Sequence, residues 1–188
     1  MALIVAGLGN PGPEFADTRH NAGFKVVDLL AENLRASYWK DEAGAKTSTI
    51  RFDDDDLVLA KPQSFMNISG KAVVKLLQTY EVPVESLIVV HDDIDLPPGS
   101  VRAKRDGGHG GHNGLRSITE ETGHDDFLRV RVGVGRPPGR MDPSDYVLQP
   151  MRGDTLADFD SVVPSAAQAV MHILEHGIES AMQEFNAD

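Results

Sequence analysis

The chain has 188 residues, 40% hydrophobic and 25% charged, with no Cys and a formal net charge of −11. That length and balance fit one compact domain over residues 1–188 and speak against global disorder. The lack of Cys removes disulfides, thiolate nucleophiles and Cys-ligated zinc and suits a reducing cytoplasm, while the negative charge argues at first sight against a nucleic-acid partner.

Residues 3–6 (Leu-Ile-Val-Ala) read as a short buried strand, stopped by a glycine-rich turn at 7–12. No basic leader precedes the strand, so no signal peptide is expected. Over residues 22–34, Phe24, Val27, Leu30, Ala31 and Leu34 recur at helical spacing opposite Asp28, Glu32 and Arg35. Residues 47–52 and 57–60 form a hairpin pattern around four Asp at 53–56, whose place between two strands favours a solvated turn over a cation site. A helix is expected over 66–80, with Val73, Val74, Leu76 and Leu77 toward the core. The wholly apolar run 87–90 reads as a central strand covered on both faces. A short strand at 101–103, a helix at 114–122 and an alternating strand at 127–134 follow, and helices at 155–176 and 178–185 close the chain. Strands alternating with helices predict an α/β architecture around a mostly parallel sheet. No apolar run approaches the ~18 residues of a membrane span.

The charge is uneven along the chain. Residues 1–98 carry 9 basic and 15 acidic side chains, residues 99–140 carry 8 and 5, and residues 141–188 carry 1 and 9. The middle segment is therefore a basic island within an acidic chain, and it is also rich in glycine.

Several motifs could carry chemistry. Residues 7–12 fit G-x-G-x-x-G after a strand, but Pro11 and Pro13 flank the last Gly and no helix opens there. The pattern better suits a turn at the strand's carboxyl edge, where open α/β sheets bind ligands, and this turn would present Asn10. His20 lies just before a helix, and Asp92 and Asp93 emerge where the central strand ends, at the same sheet edge. A carboxylate beside an imidazole fixes its tautomer and raises its basicity. Asp93 and Asp95 read as turn-formers ahead of Leu96-Pro97-Pro98-Gly99. Asn67, at a strand-to-helix junction, is either a helix cap or a donor to a developing oxyanion. The loop at 107–114, with His109, His112 and Asn113 among its glycines, opens a helix and suits an anion. It lacks the Lys-Ser/Thr ending of a phosphate-binding loop. His109, His112, His91 and His20 could hold a metal, but no H-E-x-x-H spacing is present, and Ser64, Ser69 and Ser117 lack a nucleophile-elbow pattern.

The blocks at 7–12, 18–23, 65–70, 91–97, 110–115 and 129–137, in this order, closely resemble bacterial peptidyl-tRNA hydrolases across almost the whole chain. The resemblance implies a monomeric, single-domain α/β fold with a mixed, twisted sheet and no metal or cofactor. It also implies hydrolysis of the ester between a prematurely released peptide and the terminal ribose of tRNA. Carried over by position, His20 is the base, Asp92 its supporting carboxylate, and Asn10 the discriminator between N-blocked and free aminoacyl-tRNA. Phe15, Phe65, Asn67 and Asn113 match substrate-binding positions, with His112 beside them. Arg102, Lys104 and Arg131 match the basic positions that clamp the tRNA 5′-phosphate and acceptor stem. The chain departs from the pattern at Phe15, where many relatives have Tyr, at Asp106, a position often Gly, and in its acidic carboxyl-terminal helices. Two other classes compete: an RNA-binding module without catalysis, and a metal-dependent esterase for small substrates.

Overall fold

The computed structural model describes residues 2–187. The chain opens with β1 (Ala2–Gly7), passes through short 3-10 turns at Pro13–Phe15 and Arg19–Asn21, and enters α1 (Ala22–Asn33). β2 (Lys40–Glu42), β3 (Ala45–Phe52) and β4 (Asp55–Pro62) follow, then a 3-10 turn at Met66–Ile68 that runs into α2 (Ser69–Thr79). Next come β5 (Leu87–Asp93), β6 (Val101–Arg105), α3 (Asn113–Thr122) and β7 (Leu128–Gly133). The chain ends with α4 (Pro143–Leu148), α5 (Gly153–Asp160), α6 (Val163–His176) and α7 (Ile178–Phe185).

The seven strands form one mixed sheet in the order β2-β3-β4-β1-β5-β7-β6. β4, β1, β5 and β7 are mutually parallel at its centre, while β2, β3 and β6 are antiparallel additions at the edges. β5 is buried from Leu87 to Asp92, as its apolar run predicts for a strand covered on both sides. Its alternation divides the core. Ile88 and Val90 join Val5, Val130 and Val132 beneath α1 and α6, whereas Leu87 and Val89 join Ile4 and Ala6 beneath α2 and α3.

Four details differ from the sequence reading. β5 continues through His91, Asp92 and Asp93, so these side chains stand on a strand and not after it. The helix expected from residue 66 begins as a 3-10 turn. The helix expected over 155–176 is two, α5 and α6, because Pro164 has no N–H to donate to the preceding turn and is tolerated only near a helix start. Finally, β2 and α4 were not expected. α4 nevertheless carries a start signal: Asp142 accepts a hydrogen bond from Ser144 N at 2.8 Å, and Pro143 follows it directly. The turn between β3 and β4 is shorter than the four Asp expected for it: Asp53, at φ 53°, and Asp54 make it, while Asp55 and Asp56 are already in β4, Asp56 beside Arg51.

Candidate active site

The carboxyl ends of the parallel strands share one edge of the sheet, the place where such sheets receive ligands. The chain leaving β1 there must squeeze past α1. A Cβ on Gly7 would sit 2.1 Å from Gly23 O, and one on Gly23 would sit 2.2 Å from Leu8 N and 2.4 Å from Val90 O. This close approach brings the Arg19–Asn21 turn against the end of β5. Asn10 and Asn21 then grip one another: Asn10 N donates to Asn21 Oδ1 at 2.8 Å, and Asn21 Nδ2 donates to Asn10 O at 2.9 Å. Met66 N donates to Asn10 Oδ1 at 2.6 Å, which fixes the Asn10 amide and leaves its Nδ2 as a donor without a partner among the described residues.

His20 and Asp92, 72 positions apart in sequence, meet at this edge. His20 Nδ1 lies 3.0 and 2.9 Å from the two Asp92 oxygens, and Asp92 is only 2% exposed. His112 Nε2 approaches the same carboxylate, 2.9 Å from Oδ1, with its ring beside that of His20. Burial works against a charge on His20, but the charge of Asp92 and its hydrogen bond outweigh that and raise the imidazole above its ordinary 6.5. Burial would push the Asp92 carboxyl up, yet His20 and His112 hold it well below the usual carboxylate range. His91 is the opposite case: burial, with His112 nearby, lowers it to about 3, and its Nδ1 donates to Asp92 O at 2.8 Å.

These groups line one cavity of about 230 Å³, together with Lys104, Asn113, Arg131, the glycine-rich loop and one side of α4. Strand alternation sends Asp92 toward α1 and Asp93 to the opposite face. There Asp93 Oδ2 accepts from Arg131 Nε at 2.8 Å, while its Oδ1 accepts from Asp95 N at 2.8 Å. Asp93 therefore makes the expected turn and also orients an arginine. Arg129, 2% exposed, donates to Gly108 O at 2.7 Å and to Asp125 O at 2.9 Å, and its guanidinium lies over Phe127. Burial lowers its pKa. It pins the strand-β7 side of the glycine-rich loop. Much of the basic island is spent within the protein, since Arg105 pairs with Glu179 and Arg136 with Asp95. Asp106 sits at φ 55°, the left-handed conformation that explains glycine's suitability for that position.

The cavity gathers His20, Asp92, His112, Asn113, Lys104 and Arg131 from the sequence candidates. Asn10, Phe15, Phe65, Asn67 and Arg102 stand outside its lining. Phe15 and Phe65 meet edge to face at 6.4 Å, with Phe65 61% exposed, and Asn67 is exposed on the adjacent turn. Arg102 Nη1 donates to Asn186 O at 2.7 Å, on the α7 side. Sequence reasoning missed Asn21 and Arg129. No local signal distinguishes either, because their partners lie on loops that only the folded sheet brings near.

A sequence profile of the family described as peptidyl-tRNA hydrolase matches residues 4–188. The chain belongs to the peptidyl-tRNA hydrolase family. It is 48% identical to the peptidyl-tRNA hydrolase of Kineococcus radiotolerans over 193 residues, covering 99% of this chain and 98% of that one. The corresponding protein of Nocardia farcinica is 47% identical over 185 residues, covering 97% and 95%. The crystal structure of Acinetobacter baumannii peptidyl-tRNA hydrolase superposes with a TM-score of 0.89 at 34% identity, covering 99% of this chain and 95% of that one. Peptidyl-tRNA hydrolases are hydrolase enzymes, and this chain shares their single-domain α/β fold. Among the described residues no helix is long and apolar enough to cross a membrane.

Proposed function

We propose that the chain hydrolyses the ester joining a peptide, or another N-blocked aminoacyl group, to the 3′-terminal ribose of tRNA, by means of water activated by His20. The observation that carries this reading is the contact of His20 Nδ1 with both oxygens of a buried Asp92. An ionised carboxylate accepts the Nδ1 proton, so Nε2 keeps the lone pair that removes a proton from water, and Asp92 then stabilises the imidazolium. An ester expels an alkoxide, a better leaving group than an amine. One base with a few oxyanion donors suffices, without a covalent intermediate. A metal ion is not needed either. His20, Asp92 and His112 stand close enough to hold an ion, but Asp92 meets the two imidazole nitrogens at 2.9–3.0 Å, the spacing of shared protons.

In this reading the Asn67 amide and neighbouring backbone N–H groups donate to the tetrahedral oxyanion, and the oriented Nδ2 of Asn10 recognises the blocked amino end. Phe15, Phe65, Asn113 and His112 border the peptide and the terminal nucleotide. Lys104 and Arg131 on the cavity wall, with Arg102 on the same strand as Lys104, take the 5′-phosphate and acceptor stem. The enzyme works as a monomer in the cytoplasm, recycling tRNA.

The test is to incubate the protein with N-acetyl-aminoacyl-tRNA and with aminoacyl-tRNA, with and without EDTA, and to measure released tRNA. Hydrolysis of the blocked form alone, insensitive to EDTA, is expected. His20→Ala should lose roughly 10²–10⁴-fold in rate, the usual contribution of a general base, while still binding tRNA. Near-normal turnover by that variant would overturn the assignment of the base, and loss of activity on chelation would overturn the metal-free mechanism.

A further inference from the structure

We propose that His112 is a positioning residue for the His20–Asp92 pair, its proton held on Nε2 by the amino terminus of α3 and donated to Asp92. This inference rests on the general-base reading above and gives His112 a task other than substrate contact.

His112 is the N-cap of α3. Its Nδ1 accepts hydrogen bonds from Gly114 N at 3.1 Å and Leu115 N at 3.4 Å. A ring nitrogen that accepts from an N–H carries no proton of its own, so the neutral ring must carry it on Nε2. That nitrogen is the one lying 2.9 Å from Asp92 Oδ1. Both nitrogens are therefore engaged inside the protein, and the side chain is only 10% exposed. A substrate group in the cavity finds carbon edges on this ring and no polar atom to bind.

The surroundings preserve this placement. The His91 ring packs nearly perpendicular to His112 at 5.2 Å, and the His20 ring lies 4.9 Å away on a tilt. Gly114 leaves the ring its room, since a Cβ there would come within 3.1 Å of His112 Cε1 and 2.6 Å of Met66 Sδ. Asn, Asp, Ser and Thr are the favoured caps, and each is too short to cap the helix while also reaching a carboxylate with an N–H. The imidazole does both. Its consequence for chemistry follows from geometry: Asp92 accepts from two directions at once, which holds the carboxylate against His20 Nδ1 and keeps the proton off His20 Nε2.

Three measurements on the full chain test this. Long-range 1H–15N spectra of the wild-type protein, taken where the histidines are neutral, should show His112 as the Nε2–H tautomer. With N-acetyl-aminoacyl-tRNA as substrate, His112→Asn retains a good cap but loses the donor, so kcat should fall roughly 10- to 100-fold while KM moves by less than about twofold. In an Asp92→Asn background the same change should cost no more than about twofold, because no carboxylate is left for His112 to hold against His20. An Nδ1–H tautomer, a rise in KM with kcat intact, or an undiminished penalty in the Asp92→Asn background would each overturn the proposal. Failure of the general-base reading is seen separately, as turnover retained by His20→Ala, and leaves the tautomer measurement standing on its own.

Discussion

Replacing Asp92 by Asn tests the site most severely, because it removes the charge that two imidazoles share and turns the oxygen nearer His20 Nδ1 into a donor. Asn offers one acceptor oxygen and one donor group. His112 has its Nδ1 committed to the helix N–H groups, so its Nε2–H claims the oxygen. The amide NH2 then faces His20 Nδ1, which becomes an acceptor and moves its proton to Nε2, the atom that must receive a proton from water. The expected loss in kcat is about 10³–10⁴-fold, or about 4–5.5 kcal/mol of transition-state stabilisation. The pH dependence should move as well. In the native protein Asp92 outweighs burial and raises His20 from 6.5, so the acid limb of kcat/KM is expected above 6.5. Without the carboxylate charge, burial acts alone and the limb should shift below 6.5. Initial rates between about pH 5 and pH 9, with a proton NMR titration of His20, give both numbers. An unmoved acid limb, or retention of more than about a tenth of native kcat, would refute the reasoning.

Two further predictions concern stability. His91 is held far below its unfolded value of 6.5, at about 3, so between these values the unfolded chain takes up a proton that the folded one does not. Stability is therefore lost as pH falls through that window, and His91→Asn should gain on the wild type as melting is followed from neutral pH to about pH 4. A pH-independent difference in Tm would contradict this. Gly23→Ala drives a methyl group into Leu8 N and Val90 O, both backbone atoms with little freedom to yield. A loss of about 3 kcal/mol, or about 6–12 °C in Tm, is expected by calorimetry, and a change under about 2 °C would sink the account of that contact.

How far the sequence reaches is best judged from single residues. The apolar run of β5 announced a central strand because covering both faces leaves no polar alternation. The glycines of residues 7–12 announced a turn, but their reason lay elsewhere: Gly7 and Gly23 let a strand and a helix pass, and Gly9 lies against Phe24. Neither contact can be seen without the partner. Asp92 and Asp93 looked alike as neighbours, and only the extension of β5 through them gives each a different face. The net charge of −11 concealed a basic island, and the island in turn overstated the free positive charge, since Arg131, Arg136 and Arg105 pair with Asp93, Asp95 and Glu179. Composition counts charges, whereas the fold decides which of them already have a partner.

The end of β5 also sets a reading frame for the site. Adjacent residues of one strand serve opposite sides of the sheet, Asp92 holding an imidazole and Asp93 an arginine. A single-residue insertion upstream in β5 would put His91 in the place of Asp92 and Asp92 in the place of Asp93, whereas a deletion would put Asp93 and Ile94 there, because a slip of one position reverses every side chain. Gain or loss of one apolar residue leaves the net charge at −11, so a count of charges would not reveal the lesion. Loop changes on either side of β5 can be absorbed locally, but one residue more in this strand takes the carboxylate from the imidazoles, and one residue fewer takes it from the arginine.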